Sequence, residues 1–263
     1  MVQYERRQII LEELSRSEVV LITDLVGTLG TSPSTVRRDV DALVKTGQVI
    51  ALRGGAIRLN DRLAELPTEA KALIRREAKQ AIAAAAVARI NDGDTVYIDS
   101  GTTALQMVPL LRSRRIHIIT SNTHVLAITP GERMRVTMLP GEFIANTGSV
   151  AGSFTEQLLE SLYFDKAFIG ASGASLVVGI STFDIREATK KRIVHDHSTE
   201  PYVLLDSSKF GKSALCKALD LGECTVITDE YHDLLSHVKA SIIASRPPAR
   251  NQSPHEAADD SAG

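Results

Sequence analysis

The sequence predicts an α/β protein in two parts, a small and mainly helical amino-terminal domain and a larger carboxyl-terminal domain built on a mostly parallel β-sheet. Up to about Arg58, apolar residues recur at the three- and four-residue spacing of short amphipathic helices, followed by a β-like segment. From Thr95 onward, short β-rich runs alternate with helix-like segments; the runs are TVYID, IHIIT, VTML, KAFIG, YVLLD and CTVIT. That alternation is typical of a parallel sheet covered by helices on both faces.

Composition and charge limit the class of protein further. The chain has 263 residues, of which 43% are hydrophobic, enough for one large or two ordinary domains with buried cores. The longest apolar run, AIAAAAVA at 81–88, is too short to cross a bilayer, so we expect a cytoplasmic protein without a membrane segment. The two cysteines predict thiols rather than a zinc site or a disulfide framework, and we expect no metal and no cofactor. A net charge of −2 argues against indiscriminate coating of nucleic acid but permits a local basic face.

Changes in composition along the chain predict four segments. Residues 1–59 form the small domain, and residues 60–74, which are charged and contain Pro67, form a linker. Residues 75–245 form the larger domain. Residues 246–263 have almost nothing to bury, so we expect a disordered tail.

The stretch SPSTVRRDVDALVKTG, residues 32–47, predicts a helix with one buried face. Ser32 suits the N-cap and Pro33 the first helical position, where no amide hydrogen is needed. One stripe of this helix is apolar and comprises Val36, Val40, Leu43 and Val44. Gly47 is placed to end the helix in a left-handed cap, and the preceding helix ends near Gly30. The prediction is therefore a helix, a tight turn and a second helix.

This arrangement would let the first turn of the second helix enter a DNA major groove, where arginine reaches guanine O6 and N7 and hydroxyls hold phosphates. The following stretch QVIALRGGAIRL predicts a two-stranded wing that turns at Gly54-Gly55. The predicted DNA-facing residues are Ser32, Ser34, Thr35, Arg37, Arg38 and Lys45 on the helix and Arg53 and Arg58 in the wing. A small helical core with a solvated charged face would give the same pattern, so composition and spacing leave both interpretations open.

The stretch TVYIDSGTTALQ predicts a strand that ends at Asp99 and a helix that begins at Thr102. Hydroxyls and backbone amides at such a turn favour an anion, and open α/β sheets bind ligands at the carboxyl ends of their strands. Similar turns follow the other strands, and we expect them to line one cleft. The predicted ligand-binding residues are Asp99, Ser100, Gly101, Thr102, Thr103, Ser121, Asn122, Gly141, Glu142, Ser172, Asp206 and Lys209.

Simpler interpretations of the same residues remain open. A threonine-rich turn can be a plain helix cap, and Asp206 with Lys209 can be a surface ion pair. Asp184 and Glu187 have the spacing of a capping box, which needs no ligand, so we expect both to lie outside the site.

Motifs in both parts resemble those of the DeoR family of bacterial transcription regulators. The first is Arg6, Ile10 and Leu14 followed by Ser32-x-x-Thr35-Val36-Arg37-Arg38-Asp39. The wing is similar as well, although Ala51 and Arg53 stand where that family usually has arginine and histidine. In the larger domain the similar motifs are Glu77-Ala78-Lys79-x-x-Ile82, Asp99-Ser100-Gly101-Thr102-Thr103 and Asp206-Ser207-Ser208-Lys209-Phe210-Gly211, and Pro140-Gly141 replaces a frequent Gly-Gly pair.

The resemblance implies a winged helix-turn-helix that binds double-stranded operator DNA and a sensor domain with a fold similar to ribose-5-phosphate isomerase. It also implies a phosphorylated sugar as effector, with phosphate held by the turn from Asp99 to Thr103 and Lys209 in the pocket. We therefore expect a repressor of a carbohydrate operon, released by its effector and acting as a homo-oligomer, either a dimer or a tetramer.

An enzyme is the alternative function. A sugar-phosphate isomerase with an appended helix-turn-helix would need a carboxylate base near the substrate, and Glu142, Asp206 and Lys209 are the candidates for such roles. Only the ligand-holding turns match, so we assign no catalytic residue.

Overall fold

A computed structural model describes residues 1–17, 19–46, 48–60 and 68–244. The predicted cap at Gly47, most of the predicted linker before Thr68 and the predicted tail at 246–263 lie outside the described residues. Within those ranges, no helix is both long enough and apolar enough to cross a membrane.

The small domain contains three helices and a small antiparallel sheet. The helices are α1 (Gln3–Arg16), α2 (Ile22–Leu29) and α3 (Pro33–Lys45). The strands are β1 (Val20–Leu21), β2 (Val49–Ala51) and β3 (Ala56–Leu59), in the order β1-β3-β2. The predicted wing is confirmed as the β2–β3 hairpin. Its turn contains Gly54 and Gly55 at φ 80° and 76°, a backbone conformation that residues other than glycine rarely adopt. The short strand β1 was not predicted.

Local capping fixes the position of α3. The Oγ atom of Ser32 accepts a hydrogen bond from the backbone N of Thr35 at 3.3 Å, and Pro33 occupies the first turn. Gly30, at φ 56°, ends α2 in the left-handed conformation. The buried side chains of α3 join those of α1, α2, β2 and β3 in one cluster, which includes Ile10, Leu14, Leu25, Val36, Val40, Leu43 and Ile57. The predicted helix-turn-helix is confirmed.

A buried carboxylate joins α1 to α3. Asp39 is 1% exposed, and its two oxygens accept from Arg6 Nε at 2.7 Å and from Arg7 Nε at 3.3 Å. This carboxylate faces α1, where Arg6 and Arg7 neutralise its charge. On the exposed face of α3, Asp41 is therefore the acidic residue that accompanies Arg37 and Arg38.

The larger domain begins with helices that lie partly in the predicted linker. These are α4 (Thr68–Leu73) and α5 (Arg76–Val87). The chain continues through β4 (Thr95–Ile98), α6 (Thr102–Leu105), α7 (Met107–Leu110), β5 (Ile116–Thr120), β6 (Met134–Met138), β7 (Glu142–Ile144), β8 (Ser149–Ala151) and α8 (Ser153–Leu159). It ends with β9 (Phe164–Gly170), β10 (Gly173–Ser175), β11 (Gly179–Thr182), α9 (Ile185–Asp196), β12 (Ser198–Leu204), β13 (Cys216–Leu219), β14 (Thr225–Thr228) and β15 (Ala240–Ile243).

A parallel sheet forms the centre of this domain, as predicted. Its strand order is β15-β14-β12-β9-β4-β5-β6, and each neighbouring pair is parallel. The chain runs from β4 outward to β6, then returns to the other side of β4 and continues from β9 to β15. The direction therefore reverses between β4 and β9, and this is the place where open α/β sheets bind ligands.

Helices cover both faces of the sheet. On one face Ile98 and Phe168 pack with α5 and α7 through Ile82 and Met107. On the other face Tyr97 and Ile169 pack with α8 and α9 through Leu159, Val194 and their neighbours. Consecutive strand residues therefore point into opposite cores, which explains why Val96, Tyr97 and Ile98 of β4 are all buried.

The buried ion pair of α3 gives a test of the small domain. Asp39→Ala should lower the free energy of unfolding by about 2 kcal/mol, because Arg6 and Arg7 lose their acceptor. Urea unfolding followed by circular dichroism measures the change. Asp41→Ala is the matched control on the same helix, and because Asp41 is exposed its effect should stay within about 0.5 kcal/mol. Equal effects of the two substitutions would contradict a clamp between α1 and α3.

Candidate ligand cavity and nucleic-acid interface

The residues predicted to face DNA lie on α3 and the wing. Ser32, Ser34, Arg37, Arg38 and Lys45 are exposed on α3, and Arg53 is exposed at the turn of the wing, while Thr35 and Arg58 are half-buried. The hydroxyls cluster at the start of α3, with Ser32 Oγ 3.0 Å from Ser34 Oγ and 2.9 Å from Thr35 Oγ1. The hydroxyls, Arg37 and Arg38 therefore lie together in the first half of α3, where they could contact a phosphate backbone, while Lys45 lies at its other end.

A cavity of about 130 Å³ opens where the chain reverses direction between β4 and β9. The turn after β4 and the turn after β9 meet there, because the backbone N of Gly170 donates to Asp99 Oδ2 at 2.8 Å. Eight of the predicted ligand-binding residues line it: Asp99, Ser100, Gly101, Thr102, Thr103, Ser172, Asp206 and Lys209. The volume exceeds what a single water molecule needs.

The structure does not bring the other four predicted residues to this cavity. Ser121 is buried beneath it, where its Oγ accepts from Lys190 Nζ at 2.9 Å. Asn122 is buried and caps a short 3₁₀ turn through the backbone N of His124 at 3.0 Å. Gly141 is packed so closely that a Cβ there would lie 2.2 Å from Thr155 Oγ1. Glu142 points outward, 77% exposed, and pairs with Arg186.

Lysines give the cavity an excess of positive charge. Among the described residues, its charged lining consists of Lys71, Lys79, Lys191, Lys209 and Lys212 against Asp99, Glu187 and Asp206. Five cations facing three carboxylates favour an anionic ligand. This excess matters because α6 spans only Thr102–Leu105, so its amides and hydroxyls can orient an anion but its dipole is small.

Lys79 is the most perturbed of these cations. Burial lowers its pKa to about 7 against the attraction of Asp206, and the neighbouring Lys209 and Lys71 lower it further. Its ammonium donates to the carbonyl of Lys71, which ties α5 to α4. Burial opposes ionisation of Asp206, but Lys209 and Lys79 outweigh it and lower the pKa of this carboxyl. The cavity thus holds an ionised carboxylate next to a lysine that titrates near neutral pH.

Comparison with known proteins follows the same division of the chain. Residues 6–62 match the DeoR-like helix-turn-helix domain and residues 74–230 match the DeoR C terminal sensor domain. The chain belongs to the DeoR family. It is 30% identical to the HTH-type transcriptional regulator FruR of Bacillus subtilis over 89% of this chain and 94% of that protein. It is 32% identical to a lactose phosphotransferase system repressor of Staphylococcus epidermidis, with 89% and 94% covered.

Among solved structures, the chain is similar to ribose 5-phosphate isomerase A of Methanocaldococcus jannaschii. The TM-score is 0.36 and the identity 19%, over 50% of this chain and 53% of that chain. A structural similarity this weak assigns no function to the DeoR-family chain.

The cavity chemistry also does not favour the enzymatic alternative for this DeoR-family chain. Glu142 is exposed outside the cavity and cannot join Asp206 and Lys209 there. A general base that works near neutral pH needs a raised pKa, whereas the pKa of Asp206 is lowered. Family and geometry both describe a regulator.

The expected capping box of α9 is half correct. Asp184 caps the helix, since its Oδ1 accepts from the backbone N of Arg186 at 2.8 Å. Glu187 instead points into the core, where its Oε1 accepts from Ser149 Oγ at 2.8 Å and Lys190 Nζ at 2.7 Å. Burial opposes its ionisation, but Lys190 and Lys191 outweigh this and lower its pKa well below the usual range. Glu187 lines the cavity, whereas the sequence predicted that it would lie outside the site.

Sequence reasoning missed several lining residues, because their local patterns also fit positions outside a site. Glu187 and Lys191 are four positions apart, which is also the spacing of an exposed helix pair, and nothing in the sequence shows that this pair is buried. Lys71 and Lys79 belong to α4 and the start of α5, and Lys71 lies in the segment predicted to be a linker. Lys79 lies in a motif that resembles one of the family, but the sequence alone gives it no role in the site.

The lowered pKa of Lys79 predicts how anion binding depends on pH. Lys79 is charged below about pH 7 and loses its charge above it, so sulfate affinity should fall as pH rises from about 6 to 8.5, by up to roughly tenfold per unit. Sulfate is the probe because its own charge stays constant over this range, and isothermal titration calorimetry measures its Kd.

Lys79→Met is the matched variant, since it keeps the length of the side chain without the charge. It should bind sulfate weakly at every pH and with little slope. An unchanged slope in Lys79→Met would assign the titration to another group.

Proposed function

We propose that this DeoR-family protein is a repressor of a carbohydrate-metabolism operon that leaves its operator when a phosphorylated sugar occupies the cavity. The observation that carries the proposal is a cationic cavity at the carboxyl ends of β4 and β9. Asn60, at the end of the wing, also lines this cavity. A relative that is by name a lactose phosphotransferase system repressor supports the regulated process. The proposed working parts are a DNA-binding domain at residues 1–59 and a sensor domain at residues 75–245, acting in the cytoplasm.

The phosphate would be held by the turn after β4 and by the lysines opposite it. Thr102 and Thr103 offer hydroxyls and the first amides of a helix, which have no partner inside the helix. Lys79 and Lys209 supply charge at a partly buried position, where attraction to an anion is stronger than in water. Hydroxyls that orient and ammonium groups that attract suit a phosphate better than a neutral sugar.

Contact between the cavity and the wing suggests how binding reaches DNA. Asn60 lines the cavity, and its backbone N donates to the carbonyl of Gln48 at 3.0 Å, which continues the pairing of β3 with β2. On the sensor side, Thr68 of α4 donates through its Oγ1 to the carbonyl of Thr147 at 2.7 Å. A ligand in the cavity would therefore contact the DNA-binding domain and the sensor domain together.

Release from the operator then requires that the effector has different affinities for two arrangements of the wing. An effector changes operator occupancy only if it binds one arrangement of the wing more tightly than another, and it shifts nothing if both are bound equally. On the DNA side, one α3 helix offers few base contacts, so we propose a two-fold oligomer on a palindromic operator.

Operator binding tests the DNA-facing surface. Arg38→Ala should weaken binding to an operator fragment selected from genomic DNA by about 1–3 kcal/mol, roughly 5- to 150-fold, because an arginine at this position reaches a base edge. Fluorescence anisotropy at fixed salt measures the Kd. Arg89→Ala, an exposed arginine of the sensor domain, is the control and should bind like the wild type. Equal affinity of Arg38→Ala and the wild type would remove Arg38 from the interface.

Effector release tests the cavity. A panel of sugar phosphates should contain a compound that lowers operator affinity of the wild-type protein, and Lys209→Ala should retain operator binding while losing that response. Anisotropy titrations with and without each compound measure both properties. Lys239→Ala, an exposed lysine at the end of the sheet, should respond as the wild type does. Loss of operator binding in Lys209→Ala would make Lys209 structural, and a wild-type protein that no compound releases would contradict the proposed effector.

A further inference from the structure

The lining of the cavity contains a second charged group that is separate from the lysines of α4 and α5. Lys191 Nζ donates to Asp99 Oδ2 at 2.5 Å and lies 3.4 Å from Glu187 Oε2. Lys190, with no exposed surface, donates to Glu187 Oε1 at 2.7 Å and to Ser121, Ser149 and the carbonyl of Val150. We call Asp99, Glu187, Lys190 and Lys191 the α9 cluster. Two carboxylates and two ammonium groups make it neutral overall.

The two oxygens of Glu187 differ in their contacts. Oε1 accepts two short hydrogen bonds, at 2.7 Å from Lys190 and 2.8 Å from Ser149. Among the described residues, the contacts of Oε2 are longer, at 3.3 Å from Ser100 Oγ and 3.4 Å from Lys191 Nζ. A carboxylate oxygen has two lone pairs and forms its strong hydrogen bonds at shorter distances than these. Oε2 can therefore accept a better donor than Ser100 or Lys191 provides.

We infer that Glu187 is the residue that selects the sugar part of the ligand, by accepting a hydrogen bond from a ligand hydroxyl at Oε2 and by repelling the phosphate toward Lys79 and Lys209. This inference rests on the proposed function, because it assigns the uncharged end of the same ligand. An ionised carboxylate accepts from hydroxyls and cannot accept from a phosphate dianion, which has no proton to donate. The cavity would therefore hold a phosphorylated polyol in one direction and discriminate against a bare phosphate.

Glu187 is suited to this role because its carboxyl has a lowered pKa and is held in place before a ligand binds. Lys190 and Ser149 hold Oε1, so the carboxylate has little freedom to turn away from the cavity. A hydrogen bond between a hydroxyl and a charged acceptor is worth about twice one between neutral groups. A hydroxyl lost from the ligand would leave the acceptor without that bond, and such deletions are discriminated strongly.

A comparison of two ligands separates selection from folding. Methyl phosphate carries the anion without hydroxyls, and the releasing sugar phosphate from the panel carries both. The readout is the ratio of their Kd values, measured by calorimetry at a pH where both phosphates are dianions. Glu187→Gln removes the charge and keeps the shape, so methyl phosphate should bind as tightly or several-fold more tightly while the preference for the sugar phosphate falls about tenfold.

Glu187→Asp is the second variant, since it keeps the charge and withdraws it by one methylene group. It should bind methyl phosphate like the wild type and lose most of the preference for the sugar phosphate. Glu142→Gln, outside the cavity and exposed, should leave both Kd values unchanged.

Each contrary outcome has a distinct meaning. Both Glu187 variants could bind both compounds more weakly while the ratio of the two Kd values stays unchanged. That result would make Glu187 structural and overturn the inference. A wild-type protein that binds methyl phosphate and the sugar phosphate equally would overturn the inference and leave the proposed phosphate site standing. A wild-type protein that binds neither compound would overturn both.

Discussion

The buried carboxylate of Asp99 is the interaction on which the sensor domain depends. It has no exposed surface, and it accepts from the backbone N of Gly170 at 2.8 Å and from Lys191 Nζ at 2.5 Å. A buried charge is tolerated only when it is paired and hydrogen-bonded. Asp99 therefore holds the ends of β4 and β9 together and requires α9 to lie over them, and this placement brings Glu187 into the lining of the cavity.

Elements with strong local signals could be predicted from the sequence. Ser32, Pro33 and Gly30 determine where α3 begins and α2 ends by short-range hydrogen bonds and allowed backbone angles, so no tertiary information is needed. The strands of the central sheet were predictable because burial on both faces makes them largely apolar. By contrast, α4 is short and charged, and its place is set by hydrogen bonds of Thr68 to Asn146 and Thr147, which are distant in sequence.

From the sequence, the residues of the candidate site could be predicted only as far as this did not require the order of the strands in the sheet. In the sequence, five of the predicted strands are followed by polar turns, and the turn chemistry alone does not say which strands are neighbours at the point of reversal. Turns after β4, β9 and β12 line the cavity, whereas Asn122 after β5 and Glu142 after β6 lie on the other side of β4. Glu187 was missed for the opposite reason, because a local capping pattern explained it before any long-range contact was known.

The position of the cavity gives the regulator a direct connection between its two functions. Asn60 continues the wing through its hydrogen bond to Gln48, and Lys71 on α4 is tied to the sensor domain because its carbonyl accepts from Lys79. Both line the same space, so a ligand that fits one separation of these residues better than another would change the position of the wing. Coupling of this kind needs no chain of intermediate contacts through the protein, because the ligand itself lies at the junction. A ligand bound as proposed would face both Asn60 and Glu187, because both residues line the cavity.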